Sequence, residues 1–212
     1  MGTDAELASR LASDLEAGFP DLVRQHQDRL YTIALRLLGD RRDAEEVAQD
    51  ALVRAFRAMR DYPGDRIAEL RLRPWLASIA VNLARNRRRR ADDRQPPSQL
   101  EPMLDGGFDV AVDRRSGPEL RADRHETQRE LAVALLRLAP AVRAAIVLRH
   151  VDGLSVAETA EALGRPEGTI KAQVHRGLRQ LRHALEADAA AAAATQTRTR
   201  AVRLRPALEA IR

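Results

Sequence analysis

The chain has 212 residues, 36 of them basic and 31 acidic, for a formal charge of +5, and no cysteine. Disulfides and thiolate chemistry are thereby excluded, and a reducing compartment is compatible with the sequence. Aromatic residues are scarce, Leu, Ala, Arg and Glu dominate, and no strand-like alternation is sustained, so the composition favours an all-α fold. The start, MGTDAELASRL, has no signal-peptide pattern. No apolar run approaches the roughly 20 residues that span a bilayer. A soluble cytoplasmic protein is the expectation. Lysine occurs once, at Lys171, and every other basic residue is arginine, whose planar fork suits phosphate. Codon bias in a GC-rich genome accounts for most of that preference.

In chain order, residues 1–16 read as an N-terminal extension and 17–91 as a first helical block. A helix is predicted over Asp21–Leu38, with Leu30, Ile33, Ala34, Leu37 and Leu38 on one face and Gly39-Asp40 ending it. A second starts near Asp43, read as its cap, and buries Val47, Ala51, Ala55, Leu52 and Phe56. DYPGDRIAELRLR is a turn-rich connection. A third helix starts near Pro74, placed at its first position, and runs to Arg90 with Trp75, Ile79 and Leu83 one turn apart. Residues 92–126, rich in Pro, Gly and Asp, read as an acidic flexible linker.

The second block covers 127–187, and its strongest pattern is Asp152–Leu185. Ser155 and Glu158 have capping-box spacing. Val156, Ala160 and Leu163 recur at helical spacing, Gly164 stops the helix, and Pro166 admits a new one. Ile170, Val174, Leu178 and Leu181 form the expected apolar stripe of that second helix. Lys171, Gln173, His175, Arg176, Arg179 and Arg182 lie largely off it. This is the build of a helix-turn-helix whose second helix meets the major groove. An ordinary amphipathic hairpin with a solvated basic face is the plainer alternative. Residues 188–212 read as an Ala/Arg-rich, disordered tail.

Signs of catalysis are lacking. The five histidines have no metal-ligand spacing, no Gly-rich phosphate loop precedes a Lys-Ser/Thr pair, and Glu45, Glu46 and Asp50 are spaced to pair with Arg41, Arg42 and Arg54. No catalytic residue, metal or cofactor is expected.

Three segments carry a family resemblance: RLYTIALRLLGDRRDAEEVAQDALVRAFRAM at 29–59, RPWLASIAVNLARNRRRR at 73–90 and DGLSVAETAEALGRPEGTIKAQVHRGLRQLR at 152–182. Together they resemble bacterial sigma factors of the sigma-70 family, in the small extracytoplasmic-function (ECF) class. The resemblance implies two small helical domains joined by a flexible linker, the C-terminal one holding the helix-turn-helix. It implies a protein that binds RNA polymerase core, through the beta and beta-prime subunits, and directs promoter recognition and opening without catalysis of its own. Carried over, Asp43, Glu46, Gln49, Asp50 and Arg54 face the polymerase. Trp75, Asn82, Arg85, Asn86 and Arg89 work at the minus-ten element. Lys171, Ala172, Gln173, His175, Arg176 and Arg179 read the minus-35 element. Asn86 stands where the family often has aspartate, and Ala172-Gln173 where it often has Ser-Arg. An anti-sigma factor is a further partner that family members often have. The alternative is a stand-alone helix-turn-helix regulator, which would have no need of the first block. An all-helical metal-dependent nuclease is disfavoured by the missing ligand constellation.

Overall fold

The computed structural model describes the backbone of residues 3–92 and 118–209, and the side chains of 3–90 and 128–191. The predicted linker therefore lies mostly outside the described residues. All elements among the described residues are helical. They are α1 (Asp4–Ser13), α2 (Leu15–Leu38), α3 (Arg41–Arg60), α4 (Gly64–Ala68), α5 (Leu72–Asp92), α6 (Pro118–Arg137), α7 (Pro140–Ile146), a π-helical turn at Val147–Val151, α8 (Val156–Leu163) and α9 (Glu167–Glu209).

Local chemistry sets several boundaries away from the predicted ones. Thr3 and Glu6 form a capping box that starts α1, and Leu7, Ala8 and Leu11 are buried. Helix α2 starts at Leu15 rather than Asp21, because the Asp14 side chain accepts a hydrogen bond from the Ala17 N–H at 3.0 Å; the helix continues through Pro20. The cap of α3 is Asp40, not Asp43: its carboxylate accepts from the Asp43 N–H at 2.8 Å. The connection after α3 contains the short α4. Helix α5 starts two residues before Pro74, so Pro74 stands third, still among the positions whose N–H has no intrahelical partner. Helix α9 runs on past Leu185 to Glu209.

The larger core gathers residues from both blocks. Leu22, Leu30, Ile33, Leu72, Leu76 and Ala80 of α2 and α5 are buried in one cluster with Val147, Leu148, Leu154 and Ala162. A smaller cluster, Ala134, Leu135, Leu138, Val142, Ile146 and Leu181, holds α6, α7 and α9 together. Arg143 lies under this junction. Its guanidinium donates to the carbonyls of Leu135 (2.9 Å), Leu138 (3.0 Å), Leu136 and, across the block boundary, Leu37 (2.7 Å). Burial, with the nearby charge of Arg88, brings its pKa down to about 10, so it stays charged at neutral pH. Gly39 adopts φ +80° where α2 ends, and a Cβ there would fall 2.5 Å from Leu136 Cδ1.

The apolar stripe of α9 departs from expectation at one position. Ile170 and Leu181 are buried and Val174 packs against the smaller cluster, but Leu178 is 42% exposed. Gly177 faces inward instead. A Cβ on it would lie 2.7 Å from Val142 Cγ1 and 2.9 Å from Ile146 Cγ1, so α9 and α7 approach too closely for any side chain. Gly177→Ala should therefore destabilise the second block by about 1–3 kcal/mol of overpacking, less up to about 1 kcal/mol of helix propensity. Leu178→Ala should stay within about 0.5 kcal/mol. Urea melts of the two variants check the contrast; a Leu178→Ala variant less stable than Gly177→Ala would place position 178, not 177, in the contact.

Candidate functional site

The helix-turn-helix is assembled by its caps. The Ser155 Oγ accepts from the Glu158 N–H at 3.1 Å, and the Glu158 carboxylate accepts from the Ser155 N–H at 2.8 Å. That backbone bond, then the Ser155 hydroxyl and Arg71, hold the Glu158 carboxyl below its ordinary pKa. Gly164 ends α8 at φ +60°, and the carbonyl of Pro166 accepts from Thr169 and Ile170 as α9 begins. With Ile170, Gly177 and Leu181 turned inward, Lys171, Ala172, His175, Arg176 and Arg179 are all exposed. Gln173 is half-buried, and its side-chain carbonyl is buried without a hydrogen bond. Of the six predicted minus-35 residues, five thus share the open surface and Gln173 sits at its inner edge.

On α5 the buried residues are Leu72, Pro74, Leu76, Ala77, Ala80, Val81, Leu83 and Ala84. Asn82, Arg85, Asn86 and Arg89 are exposed and follow one another at spacings of three and four, a continuous helical strip. Trp75 lies two turns before Asn82 on that strip. It is half-buried, packs against the larger core, and its ring lies 6.3 Å from that of Tyr62. Arg66 stands over the far ring, 3.7 Å from the Tyr62 centroid. Trp75 is thus part core residue and part surface. Tyr62 and Arg66 lay in a segment read from sequence as a mere connection.

On α3, Glu45, Gln49, Asp50 and Arg54 are exposed, and Asp43 and Glu46 are partly so. Sequence reasoning missed two residues here. Arg87 of α5 donates to Asp43 Oδ1 through Nε (2.9 Å) and Nη2 (2.6 Å) and reaches Glu46 with Nη1. Glu46 also pairs with Arg42 at 3.5 Å. The bonds to Glu46 and Asp43 raise the Arg87 pKa above its ordinary value. Arg87, which the sequence offers only as the first of the run Arg87-Arg88-Arg89-Arg90, is thus committed to the neighbouring helix. Val53 is 47% exposed, between Asp50 and Arg54 on the surface of α3. Its signal in the sequence was an apolar residue off the buried period.

A helix-turn-helix beside a second exposed basic helix, with every element among the described residues helical, is the build of a DNA-binding protein. Residues 22–94 match the family described as sigma-70 region 2, and residues 128–181 match sigma-70 region 4. The chain is 31% identical over 172 residues to the ECF RNA polymerase sigma factor SigW of Bacillus subtilis, covering 79% of this chain and 88% of SigW. It is 36% identical over 166 residues to the ECF RNA polymerase sigma factor SigE of Mycolicibacterium smegmatis, covering 78% of this chain and 60% of SigE. Among solved structures, CnrH in complex with the cytosolic domain of CnrY superposes with a TM-score of 0.62 at 26% identity, over 87% of this chain and 98% of CnrH. The chain belongs to the sigma-70 family of RNA polymerase sigma factors, in its ECF class.

The capping box makes the helix-turn-helix acid-sensitive. The stabilisation from Glu158 is complete above its ordinary pKa of 4.5 and is lost as pH falls through its lowered folded value. Thermal melts of Glu158→Gln against wild type through the carboxylate range should show a shallower acid limb in the variant; parallel limbs would remove Glu158 from the acid transition.

Proposed function

We propose that this sigma factor divides its work between three surfaces: the open face of α9 reads the minus-35 element, the exposed strip of α5 works at the minus-ten element, and α3 docks on core polymerase. The observation that carries the reading is the shared exposure of Lys171, Ala172, His175, Arg176 and Arg179 on the helix that follows a capped turn. The first turns of α9 meet base edges, where Lys171 and His175 can donate, and Arg176 and Arg179 meet phosphates. On α5, Trp75 supplies a wall against which an extracted base stacks, Asn82 an amide that reads a base edge, and Arg85, Asn86 and Arg89 follow the backbone. Gln173, with its buried carbonyl, supports the reader from its edge.

On α3, Asp50, Gln49 and Arg54 set orientation through charge, and Val53 supplies apolar contact between them. Asp43 and Glu46 contribute while held by Arg87, which fixes the α3 face relative to α5. The protein initiates transcription as a subunit and performs no chemical step of its own; it works in the cytoplasm, where polymerase and promoter are. That CnrH was solved in complex with a second protein, the cytosolic domain of CnrY, supports a protein partner of this chain besides polymerase, the place an anti-sigma factor would take.

Run-off transcription from genomic DNA with purified core polymerase tests the reading: specific transcripts should depend on adding the chain, and a chain that neither binds core nor directs initiation would overturn it. Arg176→Ala should weaken binding to minus-35 duplex and reduce the log–log salt slope by about 1. An unchanged slope removes Arg176 from the phosphate contacts. Asp50→Arg should weaken core binding by about tenfold, which is 1.4 kcal/mol, with duplex binding by α9 intact; wild-type affinity for core would reject the α3 assignment.

A further inference from the structure

A cleft of about 290 Å³ lies between the C-terminal turns of α5, the start of α7 and the turn that joins α8 to α9. Five of its lining residues are arginines: Arg85, Arg88 and Arg89 of α5, Arg143 of α7 and Arg165 of the turn. No carboxylate lines it among the described residues. Elsewhere the chain matches clustered arginines to acids. Arg10 and Arg24 share Asp21, Arg71 holds Glu158 and Glu161, and Arg87 holds Asp43 and Glu46. In the cleft the side chains of Arg85, Arg89 and Arg165 make no ion pair or hydrogen bond with another described residue. Like charges at spacings of three and four on α5 repel one another. Arg88 also contributes to the lowered pKa of Arg143.

A concave wall of one sign focuses its field and gathers counter-ions, and guanidiniums suit phosphate because each can grip two oxygens. Part of the wall is fixed in advance. Arg143 is 1% exposed and held by four backbone carbonyls, which leaves one N–H of its guanidinium over. Between the arginines, Leu37, Val81, Pro140, Ala141 and Ala144 form an apolar surface. A bare phosphate uses none of that surface, whereas a flat organic ring joined to phosphates uses both parts. The size of the cleft is that of a small-molecule site.

We infer that this cleft binds a nucleotide carrying two or more phosphates, with the phosphates on Arg85, Arg89 and Arg165 and the base against Val81, Pro140 and Ala141. Arg143 supplies a fixed positive floor beneath them. Arg85 and Arg89 also belong to the strip assigned above to promoter DNA, so nucleotide and DNA backbone compete for the same two guanidiniums. That competition rests on the proposed function, whereas the binding itself does not. Titration of the chain alone therefore tests the site, and run-off transcription tests the function.

The experiment is isothermal titration calorimetry of the full chain without magnesium, at about 0.15 M salt so that diffuse attraction is screened. The probes are ATP, AMP and inorganic tripolyphosphate, and far-UV circular dichroism confirms helix content in every variant. ATP should bind one to one, about tenfold or more tighter than AMP and about threefold or more tighter than tripolyphosphate. Arg165→Glu, at an exposed position, should weaken ATP binding by about tenfold or more. Arg60→Glu makes the same charge change at an exposed position in the last turn of α3, outside the cleft, and should leave affinity within about twofold of wild type. Ala141→Leu should fill the apolar side, weakening ATP while leaving tripolyphosphate unchanged. ATP binding no tighter than that of AMP, unmoved by Arg165→Glu, or equally weakened by Arg60→Glu would overturn the site. Tripolyphosphate binding as tightly as ATP, or ATP binding untouched by Ala141→Leu, would overturn the nucleotide assignment, because the apolar surface would then be unused.

Discussion

Helix α5 buries Leu72, Leu76, Ala80 and Leu83 against α2 and α3, and that burial constrains everything the rest of the helix can do. One flank carries Arg87 into the carboxylates of α3. The opposite surface leaves Asn82, Arg85, Asn86 and Arg89 in the open. Its N-terminal turn presents Arg71 and Arg73 to the second block. A rotation of α5 by one residue, about 100°, would break all three relations at once. Close packing of small side chains, Ala77, Ala80 and Ala84 among them, holds that rotation in place.

The two blocks differ in how far they stand alone. The first has a large apolar core of its own. The second keeps a small one, and lends Val147, Leu148, Leu154 and Ala162 to the first. A helix-turn-helix with so few core residues gains much from such a neighbour.

Charge is used in two ways along this arginine-rich chain. Some arginines are spent inside the protein. Arg143 is buried on four carbonyls, Arg29 is bound to Asp152, and Arg87, still partly exposed, is bound to Asp43 and Glu46. Others, such as Arg85, Arg89, Arg176 and Arg179, are exposed. The planar, always-charged guanidinium serves both purposes, satisfying several carbonyls at once or gripping a phosphate with two N–H groups. Composition cannot separate the two groups, since the distinction lies in what each side chain meets.

Much was legible in the chain itself. Helical class, the capping box at Ser155 and Glu158, the Gly39 and Gly164 stops and the exposed basic face of α9 all rest on interactions within a turn or two, which spacing encodes directly. The family motifs, too, are local strings. Other features needed the third dimension. Gly177 rather than Leu178 faces inward because α7 lies across α9, and nothing in α9 announces α7. Arg87 is separated by 41 residues from Glu46, and Asp152 by 123 from Arg29, so their pairing depends on how helices are brought together rather than on any period. The sequence determined the main helices and the faces they leave polar. The tertiary structure alone decided which charges on those faces stay exposed, because that depends on neighbours far away along the chain.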